Sequence, residues 1–220
     1  GHAVDKFWQW VASWAVMIQR PSDLGYSDEG FELPPLRVHQ VTIESGEVPE
    51  GLLFAIAAET LQERQRARAA TVKERSEACA KIVNVSNEPW IVWCNLNSES
   101  EELTKRIIDA VEIRGSHSSE YKEIKMNEFT AGKFLKLVTK PSIAGFGMNW
   151  QHACKMAFVG LSDSFEEYYQ AVRREWRFGQ KNQVDVYVIT TELEGAVVDN
   201  IKRKERDFEA MLNGMISATQ

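Results

Sequence analysis

Three features of the 220-residue chain predict an α/β fold, a parallel sheet covered by helices on both faces and preceded by a helical N-terminal elaboration. Five short runs rich in β-branched and aromatic residues lie between Trp90 and Ile189, separated by polar or helical stretches; such alternation places strands side by side with helices crossing over them. Ser98-x-x-Glu101 and Ser164-x-x-Glu167 have capping-box spacing and mark helix starts between strands. Before residue 88 the apolar spacing is mostly helical.

Taken in order, Phe7, Trp10, Val11, Trp14, Ala15 and Ile18 recur three and four apart, which predicts a helix that Pro21 stops, its aromatic stripe a packing face. Pro21 to Pro35 reads as an ordered loop and Arg37 to Ile43 as a strand. Gly51 to about Val83 reads as a long helical stretch bearing Arg64, Arg66, Arg68, Lys73 and Arg75. That run is either a solvated helix face or a phosphate-contacting one. The strands expected next are Trp90–Cys94, Ala110–Ile113, Phe134–Val138, Lys155–Val159 and Val184–Ile189, followed by a charged helix from Glu192 that holds Lys202, Arg203, Lys204 and Arg206.

Composition narrows the function classes. With 44% hydrophobic and 26% charged residues the chain can bury a core. Its formal charge of −6 means that any nucleic-acid contact must come from a local basic surface. Cys79, Cys94 and Cys154 form no CxxC pair and read as buried small hydrophobes in a reducing, cytoplasmic setting. No metal-ligand spacing links His39, His117 and His152, and no run approaches the roughly 20 apolar residues of a membrane span. Ser116, Ser118 and Ser119 read as turn and cap residues. The opening Gly1-His2 reads as the remnant of a cleaved tag on a piece of a longer protein.

Ligands of open parallel sheets bind outside the carboxyl ends of the strands, so the loops after Asn95, Arg114, Thr139, Leu161 and Thr190 are the segments to search. Two constellations stand out. Val138-Thr-Lys-Pro-Ser-Ile-Ala-Gly145-Phe-Gly147-Met-Asn149 leaves a hydrophobic strand and gathers two glycines, a lysine, a threonine and an asparagine in one loop; glycines there allow close backbone approach to phosphate oxygens. Gln170-Ala-Val-Arg173-Arg174-Glu-Trp176-Arg177-Phe-Gly179-Gln180 places Arg174 and Arg177 three apart, so that on a last helical turn both would converge on one anion.

In this order, the segments from Glu88 to Ile189 resemble the second RecA-like lobe of superfamily 2 helicases, specifically the Swi/Snf-type group and its phage and bacterial relatives. Trp90 to Leu96 resembles motif IV, and Ile113-Arg-Gly-Ser116 with the helix to Phe129 resembles the intervening block. Thr139 to Asn149 resembles motif V, with Gly145-Phe-Gly147-Met-Asn149 where the family has Gly-Leu-Gly-Leu-Asn. Gln170 to Gln180 resembles motif VI, Gln-x-x-Gly-Arg-x-x-Arg-x-Gly-Gln. Arg173 stands for the family's glycine, Trp176 for a common histidine, and Pro141-Ser142-Ile143 for its small-residue run.

The resemblance implies that Arg177 is an arginine finger and Arg174 its companion on the phosphates of ATP. It places Gly145, Gly147, Asn149, Gln170 and Gln180 at the nucleotide cleft, and Thr139, Lys140, Asn95, Arg64 and Arg68 on the DNA backbone. The sequence holds no GxxxxGK[ST] loop and no Asp-Glu pair after a strand, so the lysine and Mg²⁺ ligands of ATP hydrolysis are expected on an N-terminal RecA-like lobe of the parent chain. Residues 1–87 are then a helical connector between lobes and residues 88–220 the second lobe with its C-terminal helix. DNA, with duplex favoured, is the expected partner. A non-catalytic nucleic-acid-binding module of the same fold is the alternative. A dinucleotide or S-adenosylmethionine enzyme needs a glycine-rich turn after the first strand, where this chain has Cys94-Asn-Leu-Asn-Ser98.

Overall fold

The computed structural model describes residues 2–44, 66, 68–144 and 148–219. Helix α1 (His2–Ala12) precedes a 3-10 turn at Pro21–Leu24 and strand β1 (Leu36–Ile43). Then follow α2 (Val72–Asn84), β2 (Trp90–Cys94), α3 (Asn97–Arg106), β3 (Ala110–Ile113), α4 (Ser119–Thr130) and β4 (Lys136–Thr139). A single turn α5 (Pro141–Ala144), β5 (Lys155–Val159), α6 (Phe165–Val172), β6 (Val184–Thr191) and α7 (Gly195–Thr219) complete the order.

The six strands form one sheet in the order β1-β6-β5-β2-β4-β3, and every pairing is parallel. The period-2 alternation of side chains builds a core on each face. Ile91 and Trp93 of β2 point to the face covered by Phe129 of α4, Tyr168 and Ala171 of α6, and Val197 and Ile201 of α7. Trp90, Val92 and Cys94 point to the other, against Cys79 and Val83 of α2 and Leu103 of α3. The α/β sheet with helices on both faces is thus as the sequence predicts. Ahead of position 88, β1 pairs with β6 along eight register positions and α2 packs into the second core.

Local details differ from the sequence reading. Helix α1 ends at Ala12, so Trp14 and Ile18 lie beyond it. Of the aromatic stripe, Phe7, Trp10 and Trp14 are exposed, whereas Trp8 packs so closely on α7 that a Cβ at Gly214 would lie 2.8 Å from its Nε1. Arg64, with the rest of residues 51–65 and residue 67 of the long helix expected from Gly51, lies outside the described residues. Ser98 does not cap α3, which begins at Asn97; Glu99 instead accepts the backbone N–H groups of Asn95 and Leu96, each at 2.8 Å. Ser164 does cap α6, its Oγ accepting from the Glu167 N–H at 3.2 Å, and Ser118 caps α4 in the same way.

Glu99 belongs to a buried ionic network under the carboxyl ends of β2, β5 and β6. Arg75 donates to Glu99 Oε1 at 2.8 Å, to Thr71 Oγ1 and to the Arg68 carbonyl, and its Nε lies 3.5 Å from Glu194. Arg68 sits 3.5 Å from the same Glu194. Gly160, with φ +81°, passes over the group so closely that a Cβ would lie 2.5 Å from Glu99 Oε1. Both arginines are matched by carboxylates in a desolvated place, where loss of one partner leaves an uncompensated charge. Arg75→Met is therefore expected to lower the free energy of unfolding by about 3–5 kcal/mol, read from urea denaturation; a loss below about 1 kcal/mol would contradict this assignment.

Candidate functional site

The parallel topology separates the two constellations that the sequence singles out. Lys140 leaves the carboxyl end of β4, where its Nζ donates to Asn97 Oδ1 at 2.7 Å across the β2–α3 loop. Asn95, Lys140, Ser142, Gly160 and Tyr168 line a crevice at the ends of β2, β4 and β5. Here the strand order reverses: β2 is followed by a crossover towards β3, and β5 by one towards β6. Such a switch point is the usual ligand crevice of an open α/β sheet.

Helix α6 runs back over the sheet from the end of β5 to the start of β6. It therefore delivers Arg174 and Arg177 to the amino edge, not to the carboxyl tips where the sequence reading looked. The arginines are also not on a helical turn. The helix ends at Val172, and Arg173 to Gly179 form consecutive turns closed by Gly179 with φ +93°.

Neutral hydrogen bonds hold this turn. The Trp150 N–H donates to the Arg174 carbonyl at 3.1 Å, and the Arg174 guanidinium donates to the Met148 carbonyl at 3.3 Å. Gln180 Nε2 donates to the carbonyls of Gln151, Ala153 and Glu175 at 3.0, 2.9 and 3.2 Å, while its Oε1 accepts from the N–H groups of Lys181 and Asn182. Trp176 Nε1 donates to the Pro34 carbonyl at 2.8 Å, and the Gln151 side chain donates to the Phe178 carbonyl. The loop before β5, the loop before β1 and the arginine turn thus form one hydrogen-bonded unit.

The electrostatics are one-sided. Arg174 is 7% exposed, and burial followed by the charge of Arg177 lowers its pKa; the two guanidinium groups therefore sense each other. Among the described residues neither makes an ion pair, and Arg174 Nε is buried without a hydrogen-bond partner. Glu175 does not supply the counter-charge. Both its carboxyl oxygens are buried and unpartnered, and burial alone holds its pKa well above the ordinary carboxylate value, favouring the uncharged acid. The turn is thus a doubly positive spot without an anion of its own, an arrangement suited to phosphate oxygens.

The other residues expected at the site sort clearly. Asn149 is exposed beside Trp150, its Oδ1 accepting from the Gln151 N–H at 3.4 Å. Gln170 is half-buried on the last turn of α6, four residues before Arg174. Gln180 is buried, with both ends of its carboxamide engaged by the backbone, so it positions the turn and does not face a ligand. Gly145 and Gly147 lie outside the described residues. Thr139 is fully buried and its hydroxyl donates to the Ile113 carbonyl at 2.9 Å, and Arg68 is buried in the ionic network; neither meets solvent as a backbone-contacting residue must. Asn95 and Lys140 remain accessible. The sequence reading missed the roles of Glu99 and Glu175, the first detectable as an acidic residue in the first turn of α3.

Burial raises the thiols of Cys79 and Cys94, the latter to about 12, so neither is a nucleophile. Among the described residues no group of His, Cys, Asp and Glu could hold a metal ion, and no helix is long and apolar enough to cross a membrane.

Comparison with known proteins accords with this geometry. Residues 74–179 match the family described as the helicase conserved C-terminal domain. This segment, somewhat under half of the chain, is similar to a helicase C-terminal domain. The match takes in the crevice at the carboxyl edge and the arginine turn up to Gly179. Similar solved structures include the C-terminal part of the Fun30 ATPase domain, at 17% identity and TM-score 0.53, covering 58% of this chain and 45% of that one. A DEAD box protein from the hyperthermophile Methanococcus jannaschii aligns at 20% identity and TM-score 0.53 over 60% of this chain and 37% of that one. The C-terminal domain of the DEAD-box protein Dbp5 aligns at 10% identity and TM-score 0.56 over 79% of this chain and 86% of that one. The chain thus spans less than half the length of the first two, and at these identities the likeness is one of fold. No curated protein matches the chain.

The raised pKa of the buried Glu175 yields a pH prediction. Its folded-state pKa lies above the ordinary 4.5, so the stability it permits is present below that value and is lost as pH rises through the folded-state pKa. Glu175→Gln removes the ionisable group. The variant should gain on the parent between pH 4.5 and pH 8 by more than about 1 kcal/mol, the equivalent of one pKa unit, in urea denaturation at both pH values. A difference independent of pH would contradict the buried acid.

Proposed function

We propose that the chain is the second motor lobe of an ATP-dependent DNA helicase or translocase of Swi/Snf type, completed by an N-terminal RecA-like lobe. The observation that carries this reading is the pair Arg174 and Arg177, whose turn is held by hydrogen bonds to uncharged partners with no carboxylate paired to either guanidinium among the described residues. Helicase C-terminal domains serve ATP-hydrolysing motors, and an uncompensated arginine pair in the motif VI position is the feature such a motor requires.

The nucleotide, bound with Mg²⁺ on the other lobe, supplies the phosphoryl group that is transferred to water. Arg177, half-buried but more accessible than Arg174, reaches towards that group when the lobes close and stabilises charge on its oxygens. Arg174, more deeply placed, keeps the local potential positive and fixes the turn to the Met148 carbonyl. Its planar fork delivers several donors in one plane, which an ammonium cannot do. Asn149 and Gln170 lie beside the pair and complete its polar rim.

The carboxyl edge takes the nucleic acid in this reading. Lys140 and Asn95 flank the switch-point crevice and contact the backbone of DNA, with duplex favoured, without reading sequence.

The test uses the protein carrying both lobes. Arg177→Ala is expected to lower DNA-stimulated ATP turnover by about 10³–10⁵-fold, with circular dichroism and DNA affinity retained. Arg177→Lys should restore little of it. Turnover of the alanine variant within about threefold of the parent would contradict the arginine-finger role, and no ATP turnover in the two-lobed parent itself would favour a nucleic-acid-binding module.

A further inference from the structure

Beside Arg177 lies a feature that phosphate chemistry does not use. Phe178 is 56% exposed and Phe31, from the loop before β1, is 51% exposed. Their rings stack on each other with centroids 4.9 Å apart and planes 22° from parallel. Single exposed phenylalanines are ordinary. Two that stack at the surface, on a turn otherwise fixed by hydrogen bonds, form a preorganised flat surface.

The fixing is explicit. The Phe178 carbonyl accepts from the Gln151 side chain. At Gly179, with φ +93°, a Cβ would lie only 3.0 Å from Gln151 Oε1, and Trp176 is tied to Pro34, three residues from Phe31. Phe31 stacks on the Phe178 ring, which nonetheless keeps more than half of its surface exposed. Beyond it the chain turns polar at once, with Lys181 and Asn182 exposed.

We infer that Phe178, backed by Phe31, is a stacking platform for the nucleobase of the same nucleoside triphosphate whose phosphates meet Arg177. The inference rests on the proposed nucleotide role of the arginine pair. Neighbouring Cα atoms are only about 3.8 Å apart, so adjacent side chains diverging from one turn serve the two ends of one ligand, an anionic end on the guanidinium and a π-face on the ring. Aromatic stacking accepts any base, so the platform supplies affinity for the nucleoside part more than discrimination among bases. Phe31 lies outside the matched segment 74–179, and so the loop before β1 contributes directly to the nucleotide site.

NMR titrations of the 220-residue chain with ATP and with inorganic tripolyphosphate test this. ATP should bind tighter than tripolyphosphate by about fivefold or more, and its adenine H2 and H8 signals should move upfield under the ring current. Phe178→Leu, which keeps an apolar side chain, should collapse the affinity ratio to about one and abolish the upfield shifts. Phe178→Trp should retain both, and Phe31→Ala should reduce both. Equal affinity for the two ligands in the parent chain, or an ATP advantage that survives in Phe178→Leu, would overturn the platform while leaving the arginine site intact. Tripolyphosphate binding that is lacking, or indifferent to Arg177→Ala, would overturn the arginine reading itself and the platform with it.

Discussion

Two like charges placed side by side without a counter-ion repel each other, and the fold must hold them by other means. Arg174 and Arg177 meet that constraint because the restraining forces on their turn are neutral. The Gln180 carboxamide spans three carbonyls and two N–H groups, and Trp150, Gln151 and Trp176 add further hydrogen bonds from two other loops. A carboxylate in any of these places would fix the turn more strongly and cancel its charge. The acid that does lie there, Glu175, is buried where its neutral form is favoured. Stability is given up locally so that the positive field stays available.

The contrast with the carboxyl edge is instructive. There Arg68 and Arg75 are also buried, yet Glu99 and Glu194 match them, and Glu99 in turn holds the N–H groups of the Asn95 loop. One pair of arginines is structural because its charge is satisfied, and the other is available for a ligand because its charge is not. Helix α6 keeps the two environments on opposite edges of the sheet. In the proposed motor this places nucleotide chemistry and DNA contact at different ends of one rigid lobe.

The strands were readable because a parallel sheet buried on both faces needs short, nearly continuous apolar runs, as in Trp90 to Cys94. Their parallel order followed from the helices between them. The Ser164 cap was readable because its partner, Glu167, is three residues away. What could not be read depends on distant partners. Arg75 meets Glu99 24 residues on, and Arg68 meets Glu194 still further along the chain, so a run of basic residues on a helix looked like a solvated or phosphate-facing surface. Thr139 is drawn inward by the Ile113 carbonyl of a neighbouring strand, a contact that register alone decides. Type and spacing single out the arginines, but the edge they occupy follows from the direction of α6, and their turn from where that helix ends.

The charge state of the arginine turn is the centre of the account, and it is open to direct observation. In a spectrum of the arginine Nε–Hε groups of the 220-residue chain, titration with inorganic pyrophosphate should shift the signals of Arg174 and Arg177 together and saturably. Arg68 and Arg75, locked to carboxylates, should stay in place. Shifts confined to other arginines, or a titration that leaves Arg174 and Arg177 unmoved while the chain remains folded, would contradict the claim that this turn is an anion site.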